Sequence, residues 1–552
     1  WHLVQVLLHV FNAACLMILV SVLLPRMVRE PTMTARRWLP LLVGVLFVVH
    51  PTASGVVNYI WARSSLLTAA LLLPAILCFI RGRVGWASFL YGLALFTKVE
   101  AIGAIGVFAM WLVLLAAEAR SEDAEGGRGG FLADLGCLLR LEAARALAPV
   151  LVITGVYLGI RAYLLPEFLA EARSEQDMTT LSYFATQLTA WWYYVGHWWA
   201  PVGLVADHLG YPVFASLLEP MVVLAAAGWI AALCVLGLLY QERPVYAFLA
   251  VSALALISPH SSFLPLSEMV NEHRPYLPIG VLSLGWLVPA GHVILRRGLQ
   301  DMRGRVLGVL VFITPALGFA AATVERNSVF ETWESYWTDV ATKAPSWRAH
   351  LNLGWWEGKR GEYEKAEAHY KKSLEFAPYN LYAHSNLGRI YARTDRHQLA
   401  KASHDRAVKF DHHTSIALEA QADYFMDQGR YQAAVDDLRA ALPRTMDRYS
   451  VYVSLTTALA HLRDWRGGVA ATLKAKGLAP ERASADIVSM IRPFWTSDEH
   501  ARAGLRYFEL LEPSWKGQWW ISANWSRLAA KLGLHGLAES KKQEAERLKE
   551  RP

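Results

Sequence analysis

Up to Val324 the apolar residues come in long runs, among them Leu39–Val49, Leu66–Ile80, Ala101–Ala117, Met221–Tyr240 and Val306–Val324. Such runs approach or reach the roughly 20 residues that cross about 30 Å of hydrocarbon as helix. From Glu325 onward the pattern is polar, still helical, and repeats every 34 residues. The prediction is an all-α protein in parts: a polytopic membrane domain over 1–324, a connector over 325–346, repeats over 347–482 and a C-terminal helical cap over 483–552.

Charge orders the spans. Arginines cluster at Arg26, Arg29, Arg36 and Arg37, again at Arg81 and Arg83, and again at Arg296, Arg297, Arg303 and Arg305. Clusters of this kind mark cytoplasmic loops. Counting forward from the first predicts spans near 3–24, 39–57, 64–80, 84–97, 101–117 and 144–165. Counting back from the last predicts 305–324, 276–295, 245–258 and 217–240. Residues 166–184 and 200–216 then share the outer side, so the aromatic segment Trp191–Trp199 between them crosses an even number of times or not at all. It reads as an interfacial or re-entrant helix, because Trp and Tyr favour the headgroup boundary. About ten spans result, with both ends of the chain and the repeats outside.

Composition alters this little. At 54% hydrophobic the 552-residue chain is unlike a soluble protein, and the net charge of +7 is accounted for by topology-setting arginines rather than by nucleic acid. The four cysteines contain no CxxC pair, so neither a disulfide framework nor a zinc site is signalled.

The repeat is a recognisable one. Gly354 and Gly388, then Ala366, Ala400 and Ala434, then Ser373, Ala407 and Ala441 all keep the interval of 34. With Tyr363, Tyr370 and Pro378 around them, these resemble tetratricopeptide repeats, paired antiparallel helices that stack and form a groove for peptide or protein. A purely structural cap over the membrane domain is the competing expectation. The signal is clear over 347–448, weaker over 449–482, and only helical beyond.

Polar residues gather in the predicted outer loops: His50 to Arg63, Lys98 with Glu100, Asp207-His208, and His260 with Glu268, Asn271, Glu272, His273 and Arg274. Converging, they would offer cations for a phosphate and carboxylates for acid–base work at the membrane surface. Each also has a structural reading: His50 caps a helix end, Lys98 and Arg274 snorkel to headgroups, and Glu272 neutralises Arg274.

Several of these segments resemble motifs of the transmembrane and tetratricopeptide-repeat O-mannosyltransferases and their bacterial relatives. Trp1–His9 is similar to their "fHl.N.llH" helix, His50–Leu67 to "HP…EaV…GRae.La", Thr97–Glu100 to "sKE" and Glu272–Pro278 to "ER..YlP"; Arg326-Asn327 with Trp333 matches the approach to their repeats. The order is theirs and covers most of the chain. Departures are Ser54-Gly55 in place of an acidic residue, Trp61-Ala62 in place of Gly before Arg63, and Val99 separating Lys98 from Glu100. The family also carries, ahead of the segment matching Trp1, a first span and an outer loop with the acidic catalytic pair, so the catalytic residues are expected upstream of Trp1.

The resemblance implies a GT-C glycosyltransferase fold that moves sugar from a polyprenyl-phosphate donor to a protein hydroxyl on the outer face, in bacteria the periplasmic face of the inner membrane. A divalent metal remains open. By position it implies Lys98 and Arg274 as phosphate or headgroup contacts, with Asn271, His273, His208 and Arg63 as further substrate-binding candidates. His50, Glu100 and Glu272 would order the site or assist proton transfer. Membrane lipid and a protein held by the repeats are the implied partners. The alternative is a non-catalytic, membrane-anchored repeat scaffold in a larger complex.

Overall fold

The computed structural model describes residues 2–122, 130–164, 179–262, 268–298, 302–410, 415–445, 448–479, 498–511 and 519–549. Most of the predicted outer loop at 166–184, part of the Arg296–Arg305 loop and residues 483–497 of the expected cap lie outside them. Among the described residues every regular element is helical. The chain divides into two compact units, Trp1–Pro345 and Ser346–Pro552.

In the first unit six helices are long and apolar enough to cross a membrane: His2–Met27, Arg63–Ile80, Val99–Arg120, Leu141–Leu164, Pro220–Glu242 and Tyr276–Arg296. Two shorter apolar helices, Val84–Thr97 and Pro244–Ile257, match the short spans expected there. At 14 residues each, they rise only about 21 Å. The chain is an integral membrane protein with an all-α body.

The expected span at 39–57 is displaced. Thr32 starts the helix early, its hydroxyl accepting the Ala35 N–H at 3.1 Å, and the helix runs Met33–Val48. Pro51 brings no N–H to continue the ladder, and a separate short helix, Ala53–Asn58, follows. The polarity change at Glu325 breaks no helix either, because Met302–Ser328 passes through it. The next helix, Trp333–Lys343, is capped reciprocally by Thr332 and Ser335 and packs within the first unit. Its Tyr336 hydroxyl donates to the Ala206 carbonyl at 3.1 Å and its Lys343 ammonium to the Leu204 carbonyl at 3.2 Å.

The core of this unit runs through Leu16, Leu19, Val20 and Leu23 of the first helix, Leu66 and Leu73, Val113 and Leu284. At the far ends of these helices Arg26 pairs with Glu118 at 2.8 Å, and Asp134 receives Arg120 and the Tyr240 hydroxyl.

The second unit is a stack of helix pairs: Trp347–Arg360 with Tyr363–Phe376, Leu381–Arg393 with His397–Phe410, Ser415–Asp427 with Tyr431–Ala441, and Arg448–His461 with Trp465–Leu478. Asp498–Leu511, Trp519–Lys531 and His535–Lys549 continue the helical series. Gly354 permits the first pair to close, since a Cβ there would lie 2.8 Å from the Tyr370 ring. Ser346 and Asn380, 34 apart, each cap the first helix of a pair.

The turn inside each pair has its own period. Gly361, Asp395, Gly429 and Arg463, at intervals of 34, all hold positive φ of 82°, 57°, 71° and 64°. Left-handed backbone costs an L-residue roughly 1–2 kcal/mol, against about 0.5–1 kcal/mol for the extra freedom glycine loses on folding. Asp395→Gly and Arg463→Gly are therefore expected to slow hydrogen exchange in their flanking helices, by up to about 1 kcal/mol of local stability. Faster exchange in both variants would contradict this.

Candidate functional site

The segments carrying the motifs meet at one end of the first unit, although tens to hundreds of residues separate them. His9 Nδ1 lies 2.7 Å from the Tyr276 hydroxyl, and Asn12 donates to that same hydroxyl at 3.2 Å. Asn58 donates to Asn327 at 2.7 Å, and Thr323 to the Val49 carbonyl at 2.8 Å. Buried donors and acceptors need partners, and here each motif supplies them to another.

Two polar clusters result. In the first, Lys98 follows the end of the Val84–Thr97 helix with extended backbone and reaches Glu100 Oε2 at 2.6 Å and Ser65 Oγ at 3.1 Å. Glu100 Oε1 is 3.7 Å from His260 Nδ1. Ser65, Thr68, Glu100, His260, His273 and Arg274 all line one open pocket. An ammonium has three donors; Lys98 gives one to Glu100 and one to Ser65.

Arg274 is buried and works differently. Its guanidinium donates to the carbonyls of Glu268 at 2.7 Å, Met269 at 3.1 Å and His260 at 3.4 Å. It therefore holds its own loop in shape, and its charge reaches the cavity mainly as a field. Burial works against that charge, but Tyr194, Tyr183, Glu268 and Glu100 hold its pKa above the ordinary arginine value.

Burial lowers the Lys98 pKa, opposed by Glu100. Burial and then the cations Arg274 and Lys98 push His260 well below its ordinary value; for His273 the order is burial, Lys98, Arg274. Both imidazoles are thus neutral at pH 7. His260 is 4% exposed with no hydrogen bond on either ring nitrogen. Asn271 sits beside this cluster, its amide donating to Glu268 at 2.6 Å.

The second cluster centres on buried Glu272. Its carboxylate accepts the Val205 N–H at 2.6 Å and Arg326 at 3.3 Å, and lies 3.5 Å from His208 Nε2. Arg326 continues to Asp339 at 3.0 Å, and Asp339 to Lys343 at 2.5 Å. Burial pushes the Glu272 carboxyl up, but His208, Arg326 and the Val205 N–H overcome it and hold the net pKa below the usual value. His50 lies in this region, stacked on Trp198 at 3.9 Å, with Nε2 at 2.9 Å from the Trp198 carbonyl and Nδ1 at 2.8 Å from Thr52. His50 and Glu272 line a second, small pocket, and Tyr276 borders both.

Of the sequence-predicted residues, Lys98, Glu100, His273 and Arg274 come together in one cluster, with Asn271 at its edge. His50, His208 and Glu272 belong to the other. Arg63 opens the Arg63–Ile80 helix and lines neither cavity. Sequence reasoning passed over Ser65 and Thr68, two small hydroxyls at the start of an apolar span whose polarity was a usable signal. It passed over Asp339 and Lys343 as well, which only the folded connector brings into reach. Among the described residues no group of three or more His, Cys, Asp or Glu is arranged to hold a metal ion.

Beside the first cluster runs an apolar groove of about 850 Å³, lined by Trp191, Trp192, Trp229, Leu233, Leu254 and Leu282 among others. Pro278 borders both the groove and the pocket lined by Glu100, His260, His273 and Arg274. The three indoles are fixed: Trp191 donates to the Ser261 carbonyl, Trp192 to Ala225 and Trp229 to Leu188.

A polytopic helical body with a polar pocket, joined in one chain to tetratricopeptide helix pairs, defines a class of repeat-bearing membrane protein. Within it the chain is similar to the mouse (Mus musculus) protein O-mannosyl-transferase TMTC3, with 24% identity over 394 residues, 66% of this chain and 42% of that protein. It thus spans less than half the length of this curated relative. No protein-family profile matches the chain. Solved structures with partial likeness include PilF of Pseudomonas aeruginosa, at 19% identity, 37% of this chain, 91% of that chain and a TM-score of 0.27. Yeast Tom70 follows at 12% identity, 87% of this chain, 88% of that chain and a TM-score of 0.26. Scores this low carry no argument, and the repeat assignment rests on the chain's own 34-residue geometry.

Proposed function

We propose that this protein transfers a sugar from a polyprenyl-phosphate donor to a hydroxyl of a protein acceptor, at the extracytoplasmic face of a membrane, with the repeats engaging the acceptor or a partner. The observation that carries this reading is the adjacency of a polar pocket lined by Arg274, with Lys98 beside it on Glu100, and an indole-lined apolar groove, two environments that one amphiphile with a phosphate head and an isoprenoid tail would occupy together. In the reaction the acceptor oxygen bonds to the anomeric carbon as the carbon–phosphate oxygen bond breaks. The hydroxyl proton passes to a carboxylate, and the electron pair leaves with the lipid phosphate. Lys98 and the field of Arg274 oppose the charge that collects on that phosphate. Glu100 aims the ammonium, and neutral His260 and His273 add donors without excess charge. The bacterial periplasm is the compartment we assign, from the arginine pattern and the motifs.

The test is binding of a fluorescent polyprenyl-phosphate mannose by the protein in detergent. Lys98→Ala is expected to weaken binding about tenfold or more, as expected for loss of a charge-assisted contact. Arg274→Ala is expected to weaken it while also loosening residues 268–275, whose Glu268 and Met269 carbonyls it holds. If the wild type binds no such lipid above a phosphate-free control, the transferase reading fails and a membrane-anchored scaffold takes its place.

A further inference from the structure

The first helices of successive repeats carry a charge pattern that the membrane chemistry does not use. Arg389 and Asp423, 34 apart in sequence, pair at 2.7 Å from the helix Leu381–Arg393 to the helix Ser415–Asp427. Position 355, one repeat earlier, is Trp355, so the column 355/389/423 runs along the row of first helices. Residues seven before and four after each member share its helical face. These give the columns 348/382 and 359/393/427: Arg348 and Tyr382, then Lys359, Arg393 and Asp427.

Read across the columns, the first two repeats present Arg348, Lys359, Arg389 and Arg393 and no carboxylate. Trp355 and Tyr382 lie among them, 42% and 45% exposed. The Lys359 ammonium stands 5.6 Å from the centre of the Trp355 ring. The third repeat inverts the sign with Asp423, Asp427 and, one turn earlier, Glu419. Charge therefore changes from positive to negative along a single helical row.

We infer that this face binds an extended polypeptide segment of another protein, with acidic residues beside an aromatic or aliphatic side chain over the first two repeats, and a basic residue over Asp427. Three neighbouring helices at 8–10 Å spacing span roughly 20 Å, which about six extended residues cover. The exposed rings supply apolar contact with little entropy to lose, and the change of sign from Arg348 and Lys359 to Asp427, on either side of the Arg389–Asp423 pair, fixes direction and register. A polyanion such as RNA would satisfy the first two repeats but meet carboxylates at the third. A wholly basic partner meets the converse. The inference rests on the reading of the repeat unit as the protein-engaging arm of the proposed transferase.

The experiment selects a displayed library of random dodecapeptides on the full-length protein in lipid nanodiscs, then measures a fluorescein-labelled form of the enriched sequence. Enrichment of Asp and Glu flanking Trp, Tyr, Phe or Leu is expected. Lys359→Glu with Arg393→Glu should weaken the labelled peptide about tenfold or more, and the corresponding double alanine variant by less. Hydrogen exchange of Trp347–Arg360 and Leu381–Arg393 reports whether either variant has lost its fold, in which case the alanine pair decides. No enrichment, a basic or purely apolar consensus, equal binding of a labelled single-stranded RNA, or undiminished peptide binding by the intact double variants each overturns the inference. Binding of polyprenyl-phosphate mannose by the wild type is measured alongside. Its absence with peptide capture intact removes the transferase and leaves the groove, and the opposite result removes the groove alone.

Discussion

Glu272→Ala is expected to destabilise the first unit by about 3 kcal/mol, the low end of the cost of leaving one partner of a buried ion pair behind. The low end applies because Arg326, 6% exposed, keeps Asp339 at 3.0 Å when it loses the carboxylate at 3.3 Å. The Val205 N–H loses its acceptor too. Glu272→Gln retains an acceptor oxygen but no charge, and its loss should be about half as large. Intrinsic tryptophan fluorescence during thermal unfolding in detergent measures the shift, and hydrogen exchange locates it. Because Glu272 and Asp339 share Arg326, protection should fall first in Trp333–Lys343 and at residues 204–206. The charge also sets a pH dependence. The folded-state pKa lies below that of the unfolded chain, so the carboxylate's contribution is complete above the ordinary glutamate range and is lost as pH falls through the depressed value. Unchanged unfolding of the alanine variant would show that Arg326 is satisfied without Glu272.

The same residue shows how far the sequence could be read. Charge in successive loops predicted to lie on one side put Lys98, Glu100, Glu272 and Arg274 on one face, and the structure brings their loops together. Nothing in the order of residues separated them into two clusters, because that division is made by Tyr276, which borders both cavities, and by which loop reaches which helix end. The structural alternative for Glu272, that it neutralises its neighbour Arg274, does not hold. Instead Arg274 turns to three backbone carbonyls, and Glu272 pairs with Arg326, 54 positions away. Side chains two apart in a loop need not face each other, so local charge balance was a poor guide to pairing.

Helices were legible where a single physical demand dominated. Long apolar runs gave most of the apolar helices to within a few residues, and small residues every 34 gave the paired helices. Boundaries failed where a polar group took over: Thr32 starting a helix ahead of its apolar run, and Tyr336 and Lys343 fastening a polar connector helix onto the first unit. The left-handed turns at Asp395 and Arg463 were hidden for another reason. Gly361 and Gly429 announce the turn by residue type, whereas the other two hold the same conformation against their preference.

One more departure from the repeat was visible in the 34-residue register and carries the second large effect. Tyr370 packs over Gly354, and 34 residues later His404 packs over Gly388 in its place. His404 is 2% exposed, 5.4 Å from the Tyr424 ring centre, and neither ring nitrogen has a hydrogen-bond partner. Burial, with the charge of Arg389 adding and that of Asp405 opposing, pushes its pKa down to about 4. In the unfolded chain the imidazole titrates near 6.5, so between these values the unfolded state binds the extra proton and folding loses free energy as pH falls. From pH 7.5 to 5.0 the loss from this one residue is about 2 kcal/mol, approaching about 3 kcal/mol below pH 4. His404→Tyr removes that term and restores the residue that the preceding repeat uses. Hydrogen exchange of Leu381–Arg393 and His397–Phe410, followed at pH 7.5 and 5.0, should show wild-type protection falling by about 2 kcal/mol more than that of the variant. His350, His369 and His384 also have lowered values, so some acid sensitivity should persist in His404→Tyr, and only the difference between the two proteins is diagnostic. Equal losses would mean that the second repeat opens to solvate His404 before it protonates, and that the Tyr-to-His exchange costs the stack nothing.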